Sequence, residues 1–194
     1  NYSGPGDDSF YPGKTINFDA QKVWDRMGKH SVVAGINWKK ESFEQKRREL
    51  TNWRNHSSFD STTYPGGLYE INKGATNNLA LFVQDTYRPN FNWAIYTGLR
   101  IDRFKKFDGQ HVTYDTTNNR YDTVNHGEGS YTEWSPRLAI EHYVTDSLNV
   151  YASYGHSFNP PPLSQVYRYT DVVRANPNLD PERSDTFEVG MKKE

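Results

Sequence analysis

The amino-acid sequence predicts an all-β fold, an antiparallel up-and-down meander of about seven strands with one apolar and one polar face. Apolar residues alternate with polar or small residues in several segments, and tight turns alternate with long polar connections between them. Aromatic residues form 15% of a chain whose mean hydropathy is only −0.96. So many rings in so polar a chain require a β core, a membrane interface or a binding surface.

The composition excludes several classes of protein. A net charge of −1 over 194 residues lacks the basic excess that a nucleic-acid partner requires. The absence of cysteine excludes disulfides and thiolate metal sites. No run of about 18 apolar residues occurs, which excludes a helical membrane span. A transmembrane β-barrel is compatible with this composition because only alternate strand residues need be apolar.

The first predicted hairpin joins a strand over residues 15–25 to a strand that begins near residue 31. The apolar face of this hairpin is interrupted by Lys22 and otherwise consists of Ile16, Phe18, Ala20, Trp24, Val32, Ala34, Ile36 and Trp38. A turn is expected over residues 26–29, and the second strand continues as a charged extension toward Arg48. Residues 50–74 are rich in Asn, Ser, Thr, Gly and Tyr and predict a long loop.

The second predicted hairpin, over residues 79–102, has the clearest alternation. Its two apolar bands, 79–87 and 93–101, each span about nine residues, the length that a tilted strand needs to cross the hydrocarbon of a bilayer. The predicted turn lies at Pro89 and Asn90, with aromatic residues beside it where an interfacial girdle is expected. A polar stretch over residues 105–129 predicts a second long loop.

A third hairpin is predicted from Trp134 to Tyr154 around a turn at residues 145–147. Pro136 removes a ladder hydrogen bond, so a bulge or locally broken pairing is expected there. A third long loop contains the run Asn-Pro-Pro-Pro at residues 159–162. It leads to a last strand whose outward residues are Phe187, Val189 and Met191.

Two architectures explain this alternation, an outer-membrane barrel and a soluble β-sandwich. Short turns at one end and long loops at the other favour the barrel. In that case the residues that face lipid are Leu79, Leu81, Val83, Ile95, Leu99, Leu138, Ile140 and Val150. The residues that face the lumen and an internal plug are Arg100, Asp102, Arg137, Glu141 and Glu188. Alternatively, these charged residues only pair with one another across neighbouring strands.

Five segments, in this order and spacing, resemble the barrel of TonB-dependent outer-membrane receptors: LALFVQDTY (79–87), GLRID (98–102), SPRLA (135–139), YASYGHSF (151–158) and NPNLDPE (176–182) with EVG (188–190). The resemblance implies a plugged barrel of the roughly 22-stranded type, of which residues 1–194 would supply a partial domain of about seven strands. Nothing in the chain resembles the plug domain, the segment that engages TonB or the closing strands.

The resemblance also implies a location and a function. We expect a bacterial outer-membrane receptor for a scarce nutrient, most often a ferric siderophore, energised by TonB through the missing N-terminal region. Its expected partners are outer-membrane lipid, TonB and a small-molecule metal chelate, and no resident cofactor is expected. The alternatives are a soluble β-sandwich or adhesin-like binding module and a passive porin.

Ligand capture is expected in the long loops, which combine aromatic rings with cationic groups suited to an anionic, ring-bearing chelate. The candidate residues are Trp53, Arg54, Tyr64, Tyr69, Tyr114, Tyr121, Tyr167, Arg168 and Tyr169; alternatively, each tyrosine only packs locally. The six histidines show no metalloprotease spacing, and no nucleophile elbow, phosphate loop or dinucleotide fingerprint occurs. The acidic residues match no calcium loop, so neither an enzyme nor a metal site is predicted.

Overall fold

A computed structural model describes residues 4–169 and 174–193, apart from the side chains of Arg26 and Met27. All nine described strands belong to one antiparallel sheet. The strands are β1 (Gly6–Phe10), β2 (Gly13–Met27), β3 (His30–Leu50), β4 (Leu68–Asn90), β5 (Trp93–Asp115), β6 (Arg120–Asn125), β7 (Gly129–Thr145), β8 (Leu148–Asn159) and β9 (Glu182–Lys193). A 3₁₀ turn (Pro65–Gly67) precedes β4, and a short helix α1 (Leu163–Tyr167) follows β8.

The nine strands occupy seven positions in the sheet. β1 and β2 pair with successive parts of β3, and they are separated by Tyr11 and Pro12. In the same way, β6 and β7 pair with successive parts of β5. Each pair is one interrupted strand, because both members lie along the same edge of their neighbour. The prediction of an antiparallel meander of about seven strands is therefore confirmed.

Three two-residue turns lie at one end of the sheet. They join β2 to β3 at residues 28–29, β4 to β5 at residues 91–92 and β7 to β8 at residues 146–147. Gly28 has a φ of +69°, which favours a residue without a Cβ. The second turn was predicted at Pro89 and Asn90, but Asn90 still pairs with Trp93, so the turn residues are Phe91 and Asn92.

At the opposite end the strands are much longer than predicted. β4 begins at Leu68 and β5 continues to Asp115, so each contains 23 residues. The end of the predicted loop over residues 50–74 and most of the predicted loop over residues 105–129 are therefore strand. At about 3.3 Å per residue, 23 residues extend roughly 75 Å, far more than the ~30 Å hydrocarbon thickness of a bilayer. The strands were missed because their upper halves are polar on both faces.

A bulge in β5 changes which residues face each side. Ala75 pairs with Phe107, but Lys73 pairs with Gln110, so β5 has one extra residue, and Asp108 adopts a φ of +56° there. Even-numbered residues of β5 lie on the polar face before the bulge. Directly beyond it, the odd-numbered Gly109 and His111 take that face, and His111 pairs with Asn72.

The apolar face of the sheet has exposed large side chains on β2, β4, β5, β7 and β9. Leu81 is 56% exposed, Trp134 56% and Val189 85%, whereas Ala80 and Asp102 on the opposite face are 0% and 1% exposed. A β-sandwich requires a second sheet over its apolar face. Since every described strand belongs to the one sheet, the sandwich alternative is not supported.

The pairing of β7 with β8 ends beside Pro136. The last pair is Arg137 with Gly155, although β7 stays paired with β5 up to Gly129. The expected break at the proline is therefore present on one side of β7 only. Beyond it, Arg183 of β9 donates from Nη2 and Nε to the Glu133 carboxylate of β7, at 2.5 and 3.1 Å.

Helix α1 lies against the polar face. Val166 and Tyr167 are 0% exposed, and the Tyr167 ring fits between Gly74 and Gly109 of β4 and β5. A Cβ on either glycine would approach the ring to 2.2 or 2.3 Å, so these two positions require glycine. No helix in residues 4–169 or 174–193 is long and apolar enough to cross a membrane.

Candidate functional site

A cavity of about 490 Å³ lies on the polar face, at the end of the sheet opposite the short turns. The upper parts of β1, β3, β4 and β5 form its wall, together with the segments before β4 and after α1. Its lining residues are Asp7, Arg47, Glu49, Tyr64, Tyr69, Glu70, His111, Thr113, Tyr114 and Tyr169. We call this space the upper cavity.

An ion-pair network forms the floor of the upper cavity. Arg47 donates to Glu70 at 2.7 Å and to Asp7 at 3.2 Å, and its guanidinium lies 5.0 Å from the centre of the Tyr69 ring. The side chains of Arg47 and Glu70 are only 12% and 8% exposed. Burial raises the pKa of Tyr69 above its ordinary value, so the phenol stays protonated.

Asn72 is the centre of a buried hydrogen-bond network beneath the cavity. Its Nδ2 is within hydrogen-bond distance of Gln45 Oε1 at 3.3 Å, Glu70 Oε1 at 2.9 Å and the carbonyl of Tyr169 at 3.2 Å. Its Oδ1 lies 2.6 Å from His111 Nδ1. Asn72 is 0% exposed, so these contacts replace the water that its amide would otherwise bind.

Two histidines enclose Tyr169. The centre of its ring lies 4.3 Å from that of His111 and 5.6 Å from that of His126, and the latter pair is stacked with an interplanar angle of 6°. Burial lowers the pKa of both histidines below 6.5; for His111 the nearby Glu70 carboxylate partly opposes this, whereas for His126 the charge of His111 adds to it. Both rings are therefore neutral at pH 7.

Four tyrosines form an aromatic cluster at the rim of the cavity. Tyr64 lies 5.5 Å from Tyr69 and 6.0 Å from Tyr114 between ring centres, and Tyr114 lies 4.9 Å from Tyr121. Tyr121 donates its hydroxyl to the carbonyl of Leu68 at 2.9 Å. These tilted and edge-on contacts fix the rings and leave a broad aromatic wall.

The structure brings together four of the nine predicted loop residues. Tyr64, Tyr69, Tyr114 and Tyr169 line the upper cavity, and Tyr121 packs behind Tyr114. Trp53 and Arg54 do not line it, and the Arg54 guanidinium stacks over the Trp53 ring at 5.0 Å.

Tyr167 requires a correction: it was predicted as a ligand-binding residue of a long loop, but it is fully buried between Gly74 and Gly109, as the alternative of local packing expected. The adjacent Arg168 is half-buried and does not line the cavity. The physical reason for both placements is that α1 is held against the sheet rather than exposed to solvent. A ligand in the upper cavity would meet Tyr169 but not the buried Tyr167 ring.

The charged residues predicted to face a lumen all lie on the polar face, according to the strand register. Most have a partner there. Arg100 donates to Asp102 at 2.7 Å, and Tyr151 donates to Glu188 at 2.8 Å. Glu141 accepts from Tyr96 at 3.1 Å, and Arg137 lines a second cavity of about 470 Å³. Contact of these five residues with a plug stays a prediction.

The eight residues predicted to face lipid lie together on the opposite face. Leu79, Leu81, Val83, Leu138 and Ile140 are between 38% and 56% exposed. Ile95, Leu99 and Val150 are half-buried by their neighbours. Their contact with lipid also stays a prediction.

Sequence reasoning missed the polar residues beneath the cavity, namely Gln45, Arg47, Glu70, Asn72 and His111. The available signal was their spacing, since 45 and 47 on one strand and 70 and 72 on the next occupy alternate positions. Within the described part of the chain, no group of three or more His, Cys, Asp or Glu side chains could hold a metal ion.

Comparison with known proteins identifies the family. Residues 1–193 match the family described as TonB dependent receptor-like, beta-barrel. The chain belongs to this family. The sequence-based recognition is therefore confirmed, and the open, single antiparallel sheet is what part of such a barrel should form.

Solved structures of a copper transporter and of receptors for ferric chelates have a similar fold. The copper transporter OprC superposes with a TM-score of 0.74 at 17% identity, over 96% of this chain and 28% of that one. The ferric-catecholate import receptor Fiu from E. coli K12, in its closed form, gives 0.61 at 17% identity, over 96% and 29%. The ferric yersiniabactin uptake receptor FyuA from Yersinia pestis gives 0.60 at 17% identity, over 98% and 27%. The chain thus spans less than a third of the length of each.

Proposed function

We propose that this chain forms about seven strand positions in the wall of a larger outer-membrane barrel, whose complete receptor takes up a scarce nutrient through TonB. The chain would supply part of the membrane-embedded wall and part of the extracellular vestibule. The similar proteins named above are a copper transporter and two receptors for the uptake of ferric chelates, and a ferric siderophore is the substrate class that we favour. This part of the barrel does not need to perform covalent chemistry.

The observation that carries the proposal is the position of the upper cavity. It lies on the polar face, beyond the exposed apolar band and at the end where the strands are longest. In an outer-membrane barrel this end faces the outside, because short turns face the periplasm. A solute arriving from outside would meet the tyrosine wall before it reached the passage.

The apolar band supports the proposed location. Its exposed side chains run from β2 to β9, and no second sheet covers them among the described residues. An exposed apolar face of this extent marks a membrane or protein contact. Its height of about nine residues per strand matches the hydrocarbon layer.

The test is an uptake assay with the full-length receptor that carries this chain. A host that lacks its own ferric-siderophore receptors would be grown under iron limitation with a panel of ferric chelates. We expect growth on at least one chelate, and we expect deletion of TonB to abolish it. Growth that persists without TonB would favour the passive-porin alternative.

A binding measurement tests the site within the receptor. Tyr114→Ala should weaken binding of the active chelate roughly fivefold, since a stacked ring contributes about 1 kcal/mol. Phe91→Ala is the matched control, because Phe91 is fully exposed at the short-turn end. Equal affinities of the two variants would place the ligand elsewhere.

A further inference from the structure

The charge of the upper cavity bears on the class of ligand that it takes. Three carboxylates line it, those of Asp7, Glu49 and Glu70, but only one guanidinium, that of Arg47. The neutral ring of His111 adds no positive charge. The wall therefore carries an excess of two negative charges.

The single cation of this wall is already engaged. Arg47 contacts Glu70 at 2.7 Å and Asp7 at 3.2 Å, and its flat face lies over the Tyr69 ring. To bind an anionic ligand, this guanidinium would have to leave two carboxylates, one of which is almost buried. A buried carboxylate left without its partner is strongly unfavourable. Neither of the two predicted cationic residues, Arg54 and Arg168, lines the cavity, and Arg54 stacks on Trp53 outside it.

Glu49 supplies the opposite feature, a carboxylate that is free to act as a counter-ion. Its side chain lines the cavity, and no described residue engages it in a hydrogen bond or ion pair. Tyr64, Tyr114 and Tyr169 offer ring faces and edges around the same space. Aromatic faces beside a carboxylate are the groups that recognise organic cations.

We propose that the upper cavity selects a ring-bearing or planar ligand with net positive charge, such as an ammonium-bearing chelate, rather than an anionic one. This inference rests on the proposed function, that the cavity is a ligand site. The composition of the loops suggested an anionic ligand, whereas this inference assigns the ligand a positive charge. The acids that produce the selection lie on three strands: Asp7 on β1, Glu49 on β3 and Glu70 on β4.

The test measures the electrostatic potential in the cavity and does not require the ligand to be known. The chain contains no cysteine, so Thr113→Cys would place a single exposed thiol of this chain in the cavity wall. The full-length receptor, in detergent and with any other thiols replaced, is treated with two methanethiosulfonates. One reagent carries a trimethylammonium group and the other a sulfonate. The rate at which each reagent modifies the cysteine is divided by its rate of reaction with a small free thiol, which gives the normalised rate.

We expect the normalised rate for the cationic reagent to exceed that for the anionic reagent by about fivefold at low salt, and the ratio to fall as salt is added. Glu49→Gln in the same background should reduce the ratio severalfold, and Asp7→Asn provides a second variant. Asp146→Asn, which removes a charge at the short-turn end, should leave the ratio unchanged.

A normalised ratio at or below one would overturn the inference, as would a ratio that Glu49→Gln and Asp7→Asn leave unchanged. The outcome is separable from that of the uptake assay. A cavity without cation preference would still permit an uptake receptor for another ligand. A receptor that shows no TonB-dependent uptake would lose the proposed function even if the cavity attracts cations.

Discussion

At the scale of single residues, the most constrained position is Asn72. Its amide connects Gln45 on β3, Glu70 on its own strand, His111 on β5 and the backbone of Tyr169. An apolar residue in its place would leave several buried polar groups without partners. The upper cavity therefore depends on a side chain that a ligand does not need to touch.

Asn72→Ala should destabilise this region by about 1–3 kcal/mol, because buried donors and acceptors lose their partner. The measurement is the temperature at which the folded receptor loses its compact mobility on a detergent gel. Asn125→Ala, the same change at an exposed position, is the control. Identical transition temperatures for the two variants would show that the network contributes nothing.

Acidification should weaken the contact of Tyr169 with the sheet. Burial lowers the pKa of His111 and His126 below 6.5, so the docked arrangement disfavours their protonated forms. The stabilisation is complete above pH 6.5 and is lost as the pH falls below that value through the lowered pKa values. Hydrogen exchange of residues 163–169, corrected for intrinsic rates, should therefore accelerate between pH 7.5 and pH 5. The double variant His111→Gln, His126→Gln should lose this dependence; if it keeps the acceleration, another group is responsible.

At the scale of elements, the docking of α1 depends on the slot between β4 and β5. The Tyr167 ring occupies the space that a side chain would need at Gly74 and Gly109. The bulge at Asp108 places Gly109 on the same face as His111. One local irregularity of β5 thus positions both the slot and the histidine of the cavity.

Gly109→Ala should release α1, since the added methyl group would lie 2.3 Å from a Tyr167 ring carbon. Trypsin should then cut after Arg168 several times faster than in the unmodified receptor. Gly98→Ala on the same strand is the control, because its nearest neighbour would be 3.5 Å away. If both variants were cut at the original rate, the slot would not hold the helix.

The elements also show where sequence reasoning succeeded and where it failed. Alternation assigned the apolar face correctly wherever one side of a strand is apolar, as from Leu79 to Val83. It failed over residues 68–78 and 105–115, where both sides are polar and the strands resemble loops in composition. The bulge at Asp108 reverses the alternation, so the face of His111 could not be extrapolated from Arg100. The partners of Asn72 lie between 2 and 97 residues away in sequence. The alternation of apolar and polar residues gives no information on such distant contacts.

At the scale of the whole molecule, the arrangement is inside-out relative to a soluble domain. The apolar residues are exposed on one side of the sheet, and the best-buried residues on the other include Asn72, Asp102 and Gln45. An exposed apolar face of this extent needs a cover, and in the proposed location a bilayer would supply it. The match to a family of receptor β-barrels is consistent with that proposal.

Leu99→Arg should reduce the free energy of unfolding in lipid vesicles by roughly 2–4 kcal/mol, the cost of arginine near the middle of a bilayer. Urea titration of the full-length receptor measures it. Val124→Arg is the matched control, because Val124 is 57% exposed on β6, beyond the predicted membrane band. Equal midpoints for the two variants would mean that the apolar face does not contact lipid.

The proline in β7 has a mechanical consequence. From Pro136 upward, the described residues of β7 and β8 share no backbone ladder, and the bidentate contact of Arg183 with Glu133 ties the two sides together. A tensile load across the wall would concentrate on that guanidinium and carboxylate. Under such a load, β7 and β8 should separate first in this unpaired part. The separation should then stop at Arg137 and Gly155, where the backbone pairing of the two strands begins.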